Sequence, residues 1–204
     1  MKPETIGIID YGAGNCASVR MSLIKLGYRT KLVSKEGDFK DINILILPGV
    51  GAFSKAMKSL HELNLVSLIR SWAFEGKPII GICLGMQLLS EMSYEHELTP
   101  GLKLIPGTVT QLENPKWHIG WNSIESYGDN SKFLNDFIGE DYYFNHSYEF
   151  IVPDEYVISI TRFKKPIAAI IRRDNIYGIQ FHPEKSQVSG LNILRCILGE
   201  LLHA

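Results

Sequence analysis

The sequence predicts an α/β fold of three layers, with a mostly parallel central sheet, helices on both faces, a nucleophile elbow and a β-rich second half. Three observations carry that prediction. In the first half of the chain, short apolar runs alternate with segments whose apolar residues recur at helical spacing, the pattern of βαβ units around a parallel sheet. Gly81-Ile82-Cys83-Leu84-Gly85 stands between the apolar run Pro78-Ile79-Ile80 and a further helical pattern, as a strand-to-helix turn of the elbow type does. Strand-like segments separated by turn residues then crowd the second half and give way to a closing amphipathic stretch.

Taken in order, Thr5 to Asp10 (TIGIID) is a buried strand, and Asn15 to Leu26 is a helix with Val19, Leu23 and Leu26 on one face. Gly27 ends that helix, since glycine accepts the left-handed backbone a helix C-terminus needs. Arg29 to Val33 and Asn43 to Leu47 are short strands, and Ser54 to Phe74 is helical with room for a break around Asn64. Gly76-Lys77-Pro78 turns into the strand that delivers Cys83. Leu102 to Leu112, Tyr142 to Asn145, Tyr156 to Ile160, Ile167 to Ile171 and Ile176 to Phe181 read as strands. Ser186 to Leu202 reads as the closing helix. No linker rich in Pro, Ser or Gly and no internal repeat separates the halves, so residues 1–204 are expected to form a single domain.

Composition narrows function by exclusion. The 204 residues are 45% hydrophobic and 21% charged, the balance of an ordinary globular domain with one sizeable core. A formal net charge of -1 and a longest basic cluster of only Lys164-Lys165 give no electrostatic case for nucleic acid or an acidic membrane. No stretch approaches the roughly 20 apolar residues of a membrane span. Met1-Lys2-Pro3-Glu4 runs straight into a strand pattern, so no signal peptide is expected. Cys16, Cys83 and Cys196 are odd in number, far apart and without a C-x-x-C, which argues against a disulfide framework or a metal site. A cytoplasmic protein without cofactor is the expectation.

Cys83 is the candidate nucleophile. An elbow pushes its side chain into the open, and the flanking glycines tolerate the strained backbone. The start of a helix favours the thiolate, the form that attacks. A nucleophile needs a base, and the base an orienting group. His182 follows the strand Ile176 to Phe181, so it stands at the same sheet edge, and Pro183 biases it to an extended backbone. Glu184 lies two residues on, where an extended chain projects side chains to the same side. Gly49, Val50 and Gly51 follow another strand end and offer backbone N–H groups for an oxyanion, with the N–H of Leu84 as the second donor.

Other signals compete. Gly12-Ala13-Gly14-Asn15-Cys16-Ala17 fits the G-x-G-x-x-G/A fingerprint, and Glu36 lies near the distance of a ribose-binding acid, so a nucleotide-binding oxidoreductase is an alternative. Trp117-His118-Ile119-Gly120-Trp121-Asn122 places two tryptophans beside a glycine in a turn, which hints at an exposed platform for a partner. The role of His118 stays open.

Gly81 to Gln87, Leu47 to Phe53 (LPGVGAF) and Gln180 to Ser186 (QFHPEKS) together resemble the class I, or triad, glutamine amidotransferases. With Asp10 to Asn15 and Gly120-Trp121-Asn122, the chain is similar to the glutaminase subunits of imidazole glycerol phosphate synthases from about residue 5 to residue 200. The resemblance implies hydrolysis of glutamine to glutamate and ammonia by Cys83, His182 and Glu184. It assigns glutamine binding to Leu84, Gln87, Glu95 and the stretch His146-Ser147-Tyr148. It also implies a heterodimer with a (β/α)₈-barrel cyclase of histidine biosynthesis, which receives the ammonia, with Gly12, Asn15, Trp121 and Asn122 facing it. Lys116-Trp117 before His118 and Asn145 before His146 depart from that subunit's usual pattern. They leave a second acceptor open, such as a synthase that amidates sugar nucleotides.

Overall fold

The computed structural model describes residues 4–12, 15–128 and 134–203. The first half builds β1 (Thr5–Ile9), α1 (Cys16–Lys25), β2 (Arg29–Val33), β3 (Ile44–Leu47), α2 (Phe53–Glu62), α3 (Leu65–Phe74), β4 (Ile79–Ile82) and α4 (Leu84–Leu88). The second half builds β5 (Met92–Ser93), β6 (Thr99–Pro100), β7 (Thr108–Gln111), β8 (His118–Ser123), β9 (Glu125–Ser126), β10 (Asp141–His146), β11 (Tyr148–Ile151), β12 (Val157–Arg162), β13 (Pro166–Arg173), β14 (Ile176–Ile179) and α5 (Gln187–His203).

Eight strands join in one sheet in the order β2-β1-β3-β4-β14-β13-β12-β9. The first five run parallel, and β13, β12 and β9 continue it antiparallel. β14 pairs with β4 from Ile176↔Ile79 to Ile179↔Ile82, so the two halves share this sheet. The central strands are apolar on both faces because both faces are covered. In β3, Ile44 and Ile46 pack with Val19 and Leu23 of α1 and with Ile193, Leu194 and Ile197 of α5. Leu45 and Leu47 pack on the other face with Phe53, Met57 and Leu60 of α2 and Ile69 of α3. That alternation gives the three layers. Gly7 in β1 marks a tight point of the second layer, since a Cβ there would lie 2.6 Å from Ile42 Cδ1.

The expected helix from Ser54 to Phe74 is two helices, because Asn64 takes the left-handed conformation with φ of 56° and breaks the hydrogen-bond ladder. Two expectations fail in the second half, and one further strand was not foreseen. Of the strand expected from Leu102 to Leu112, only Thr108–Gln111 pairs as one. The N–H groups of Leu102, Lys103, Leu104 and Ile105 instead reach the carbonyls of Leu88, Ser90 and Leu89, and so satisfy the end of α4. His118–Ser123, expected as a turn, is a strand, paired antiparallel with β10. Tyr148–Ile151 is a strand that the sequence analysis did not predict, paired with β7.

Candidate active site

The cleft opens where parallel strands end. β4 stops at Ile82, and Cys83 turns the chain into α4 with φ of 53° and ψ of −110°, a backbone that non-glycine residues adopt only under constraint. Sterics show why residues 81 and 85 are glycine. A Cβ on Gly81 would lie 2.6 Å from the Gly85 carbonyl oxygen, and one on Gly85 would lie 1.7 Å from that of Leu47. The turn therefore presses against β3 with no space for a methyl group. Gly178 does the same from β14, where a Cβ would meet Met86 of α4 at 2.7 Å.

β14 ends at Ile179 and Gln180-Phe181-His182 follows, bringing His182 alongside the elbow. The Nδ1 of His182 lies 2.7 Å from Oε1 of Glu184, with both side chains inaccessible to solvent. Burial opposes the cationic ring, but hydrogen bonding to Cys83 and Glu184 and their charges outweigh it and lift the His182 pKa to about 9. Burial pushes the Glu184 carboxyl up, yet the His182 ring and the amide of Asn15 hold it below the ordinary carboxylate range. His182 is thus kept protonated at neutral pH beside the sulfur.

Three walls complete the cleft, which has a volume of about 540 Å³. Val50 and Gly51 form one, with Leu84 at the first position of α4, whose N–H lacks a partner within the helix. The phenol of Tyr11 donates to the Pro48 carbonyl at 2.8 Å and braces this loop. Gly49 must stay bare there, since its Cβ would lie 2.6 Å from the Tyr11 oxygen. Gln87 and Glu95 line the second wall. Oε2 of Glu95 accepts the Phe53 N–H at 2.8 Å, so this buried carboxylate also anchors the far end of the glycine loop. Asn145, His146, Ser147 and Tyr148 form the third wall. The Asn145 carbonyl lies 3.8 Å from the sulfur of Cys83. Both ring nitrogens of His146 are engaged by protein groups, Tyr148 O and His118.

This arrangement suits attack by a thiolate on a carboxamide or ester. The protonated His182 would donate to the leaving group, and Val50, Gly51 and Leu84 line the same cleft. The structure brings together Cys83, His182, Glu184, Val50, Gly51, Leu84, Gln87, Glu95, His146, Ser147 and Tyr148. Trp121 and Asn122 stand apart on β8, where Trp121 is 49% exposed and Ile119 is 62% exposed. Of the loop Gly12 to Asn15, Ala13 and Gly14 lie outside the described residues. Asn15 reaches the triad, its Nδ2 donating to Oε1 of Glu184.

Two residues that touch the triad were not read as such from the sequence. Asn15 appeared there only as an interface residue. Gln180, fully buried, donates through Nε2 toward the Cys83 sulfur at 3.8 Å. Its signal was present, because a glutamine inside the apolar run Ile176 to Phe181 is a buried polar residue that demands a partner.

The family model described as glutamine amidotransferase class-I matches residues 7–196. The chain belongs to the class I glutamine amidotransferases. Curated relatives include the "Imidazole glycerol phosphate synthase subunit HisH" of Moorella thermoacetica, 43% identical over 100% of this chain and 97% of that protein. The protein of the same name from Caldanaerobacter subterraneus subsp. tengcongensis is 44% identical over 97% of this chain and 98% of its own length. That of Listeria monocytogenes serovar 1/2a is 42% identical over 93% of each chain. Among solved structures, "Structure of PurLQS from Thermotoga maritima" aligns with a TM-score of 0.76 and 20% identity over 98% of this chain and 100% of that one. That likeness shows the fold. Membership of the class I glutamine amidotransferases overturns the oxidoreductase reading of Gly12 to Ala17. Among the described residues, no cluster of three or more His, Cys, Asp or Glu is arranged to hold a metal, and no helix is long and apolar enough to cross a membrane.

Proposed function

We propose that this chain is the glutaminase subunit of an imidazole glycerol phosphate synthase, hydrolysing glutamine to supply ammonia for histidine biosynthesis. The observation that carries the chemistry is the ion-paired His182 and Glu184 set beside a cysteine on a strained elbow. The histidine pathway is supported by the names of relatives at 42–44% identity over nearly the whole chain.

In this mechanism the Cys83 thiolate adds to the side-chain carbonyl carbon of glutamine, and its oxyanion is held by the N–H groups of Leu84 and the Gly49-Val50-Gly51 loop. His182 gives its proton to the amide nitrogen, the C–N bond breaks, and ammonia leaves behind a γ-glutamyl thioester. Neutral His182 then takes a proton from water as the water attacks the thioester, and glutamate leaves as sulfur departs. Glu95 meets the substrate ammonium, while Gln87, Ser147 and Tyr148 hold the rest of glutamine. Ammonia loses its nucleophilicity once protonated in bulk water, so delivery to an acceptor site on a (β/α)₈-barrel cyclase is part of the proposal. The apolar outer face of β8, where Ile119 and Trp121 are exposed, and the loop from Gly12 to Asn15 form its docking side. A cytoplasmic heterodimer follows.

The test is glutamate release from glutamine by the chain alone and with a cyclase subunit plus its nucleotide ligand. Stimulation by that pair is expected, and a rate the cyclase cannot raise would reassign the acceptor. The elbow does not leave Cys83 in the open, since it is only 5% exposed. Serine is nearly isosteric with it, so Cys83→Ser is expected to remove the release with little change in thermal unfolding. Persistent glutamate release by that variant would end the mechanism.

A further inference from the structure

Outside the triad, a row of polar contacts leads from β8 toward the nucleophile. Asn122 Nδ2 lies 3.3 Å from His118 Nε2, His118 Nδ1 lies 3.1 Å from His146 Nε2, and His146 Nδ1 lies 2.9 Å from the Tyr148 carbonyl. The direction of every bond is fixed from the two ends. A carbonyl only accepts, so His146 carries its proton on Nδ1 and, when neutral, presents a bare Nε2. His118 must then donate from Nδ1 and accept at Nε2. The amide of Asn122 is oriented to match, because its Oδ1 takes the Ser123 N–H at 2.9 Å and its Nδ2 also reaches the Arg162 carbonyl at 3.1 Å. Both rings are neutral at ordinary pH. Burial pushes His118 down to about 4. It pushes His146 down to about 3, with the charge of His182 opposing a proton there as well. Phe144 and Phe163 stack on the His118 ring at centroid distances of 4.5 and 4.3 Å and hold its plane.

Beyond Tyr148 the row continues inward. Gln87 Nε2 donates to the same Tyr148 carbonyl at 2.8 Å and to Gln180 Oε1 at 3.2 Å, which leaves Gln180 Nε2 aimed at the Cys83 sulfur. We propose that Asn122, His118 and His146 form a one-way hydrogen-bond relay that sets the Tyr148 carbonyl and, through Gln87 and Gln180, the Cys83 sulfur, making His118 a positioning residue for glutamine hydrolysis. The proposal rests on the glutaminase reading above. A relay of neutral groups fixes geometry without placing a second cation beside His182. It also begins on the strand whose other side chains, Ile119 and Trp121, face outward, so a shift of β8 is passed to the nucleophile through directed bonds.

The first test is ¹⁵N NMR of histidine-labelled full-length chain at neutral pH. Both rings are expected as neutral Nδ1–H tautomers, the minor form of free imidazole. An Nε2–H tautomer or a cation at either ring would overturn the relay. The second compares His118→Leu, which fills space without polar atoms, with His118→Gln, which keeps a donor and an acceptor. Leucine leaves a buried acceptor on His146 unpaired and should lower kcat for glutamate release about tenfold or more, with KM changed less. It should also slow alkylation of Cys83 by iodoacetamide, and His118→Gln should show little of either loss. Equal losses in two folded variants would reduce His118 to packing between Phe144 and Phe163 and overturn the proposal. If His118→Leu does not fold, a folded His118→Gln that loses a hundredfold has the same meaning. Absence of glutamate release by the unaltered chain would instead fail the glutaminase reading, and the tautomers would still decide the relay.

Discussion

His182 and His146 border the same cleft, both almost wholly buried, and hold opposite charge states. His182 has two partners that favour its proton, the Glu184 carboxylate and Cys83, and its pKa rises to about 9. His146 has a carbonyl, a second imidazole and the repulsion of His182, so burial prevails and its pKa falls to about 3. Desolvation acts on both rings in the same direction. What separates them is whether a charge stands within hydrogen-bond reach. The difference assigns roles, since a proton donor must hold its proton at neutral pH and a neutral relay must not acquire one.

The comparison breaks most severely at His182 itself. His182→Ala removes donor and base together, and glutamate release is expected to fall by roughly 10²–10⁴-fold, the usual range for a lost general acid–base. A loss below tenfold would mean that another group moves the proton. Glu184→Gln is a smaller change, expected to cost about tenfold to a hundredfold because orientation is easier to replace than a proton shuttle. It also removes one of the two causes that lift His182. The His182 pKa therefore drops from about 9, and the alkaline limb of kcat/KM against pH moves to lower pH. A limb that stays in place would belong to some other group.

Linkage gives the two environments opposite signatures in stability. His182 is raised above its unfolded value near 6.5, so its contribution is full below that pH and is lost as pH rises through about 9. His118 and His146 are depressed, so the unfolded chain binds their protons first, and stability falls as pH drops from about 6.5 toward 4. His118→Gln is expected to recover at least its own share of that acid loss relative to the unaltered chain, read from urea midpoints at pH 7 and pH 4. Parallel acid loss in both proteins would place the proton uptake elsewhere.

The two environments were also unequally legible in the sequence. The His182 side follows from regular structure: an apolar strand, an elbow whose glycines sterics demand, and a His-x-Glu spacing that puts two side chains on one side. Local pattern sufficed because β1, β3, β4 and β14 are buried on both faces, and such strands are apolar throughout. The His118–His146 wall rests on β7, β8, β10 and β11, short strands in small two- and four-stranded sheets. There polar and apolar residues mix, and pairing partners lie far apart in the chain, as His118↔His146 does. His118 on β8 read as part of a turn because Gly120 interrupts the strand pattern, and only the register with β10 turns that segment into one wall of the site. Asn15 was missed for the same reason. Its contact with Glu184 spans 169 residues and leaves no local trace.

Asn15 supplies the smallest and sharpest test of the comparison. Asn15 Nδ2 and His182 Nδ1 both meet Oε1 of Glu184, whose Oε2 is buried with no hydrogen-bond partner among the described residues. The asparagine thus steadies the carboxylate through one oxygen that it shares with the histidine. Asn15→Ala removes a neutral donor and leaves the charge, so the cause that lifts His182 remains. Glutamate release is expected to fall only a few-fold, the scale of one lost hydrogen bond of about 1 kcal/mol. The alkaline limb should stay where it is, in contrast to Glu184→Gln. A downward move of the limb in Asn15→Ala would mean that the carboxylate had swung away from His182. In that case Asn15, rather than the backbone turn at Pro183, holds Glu184 in place.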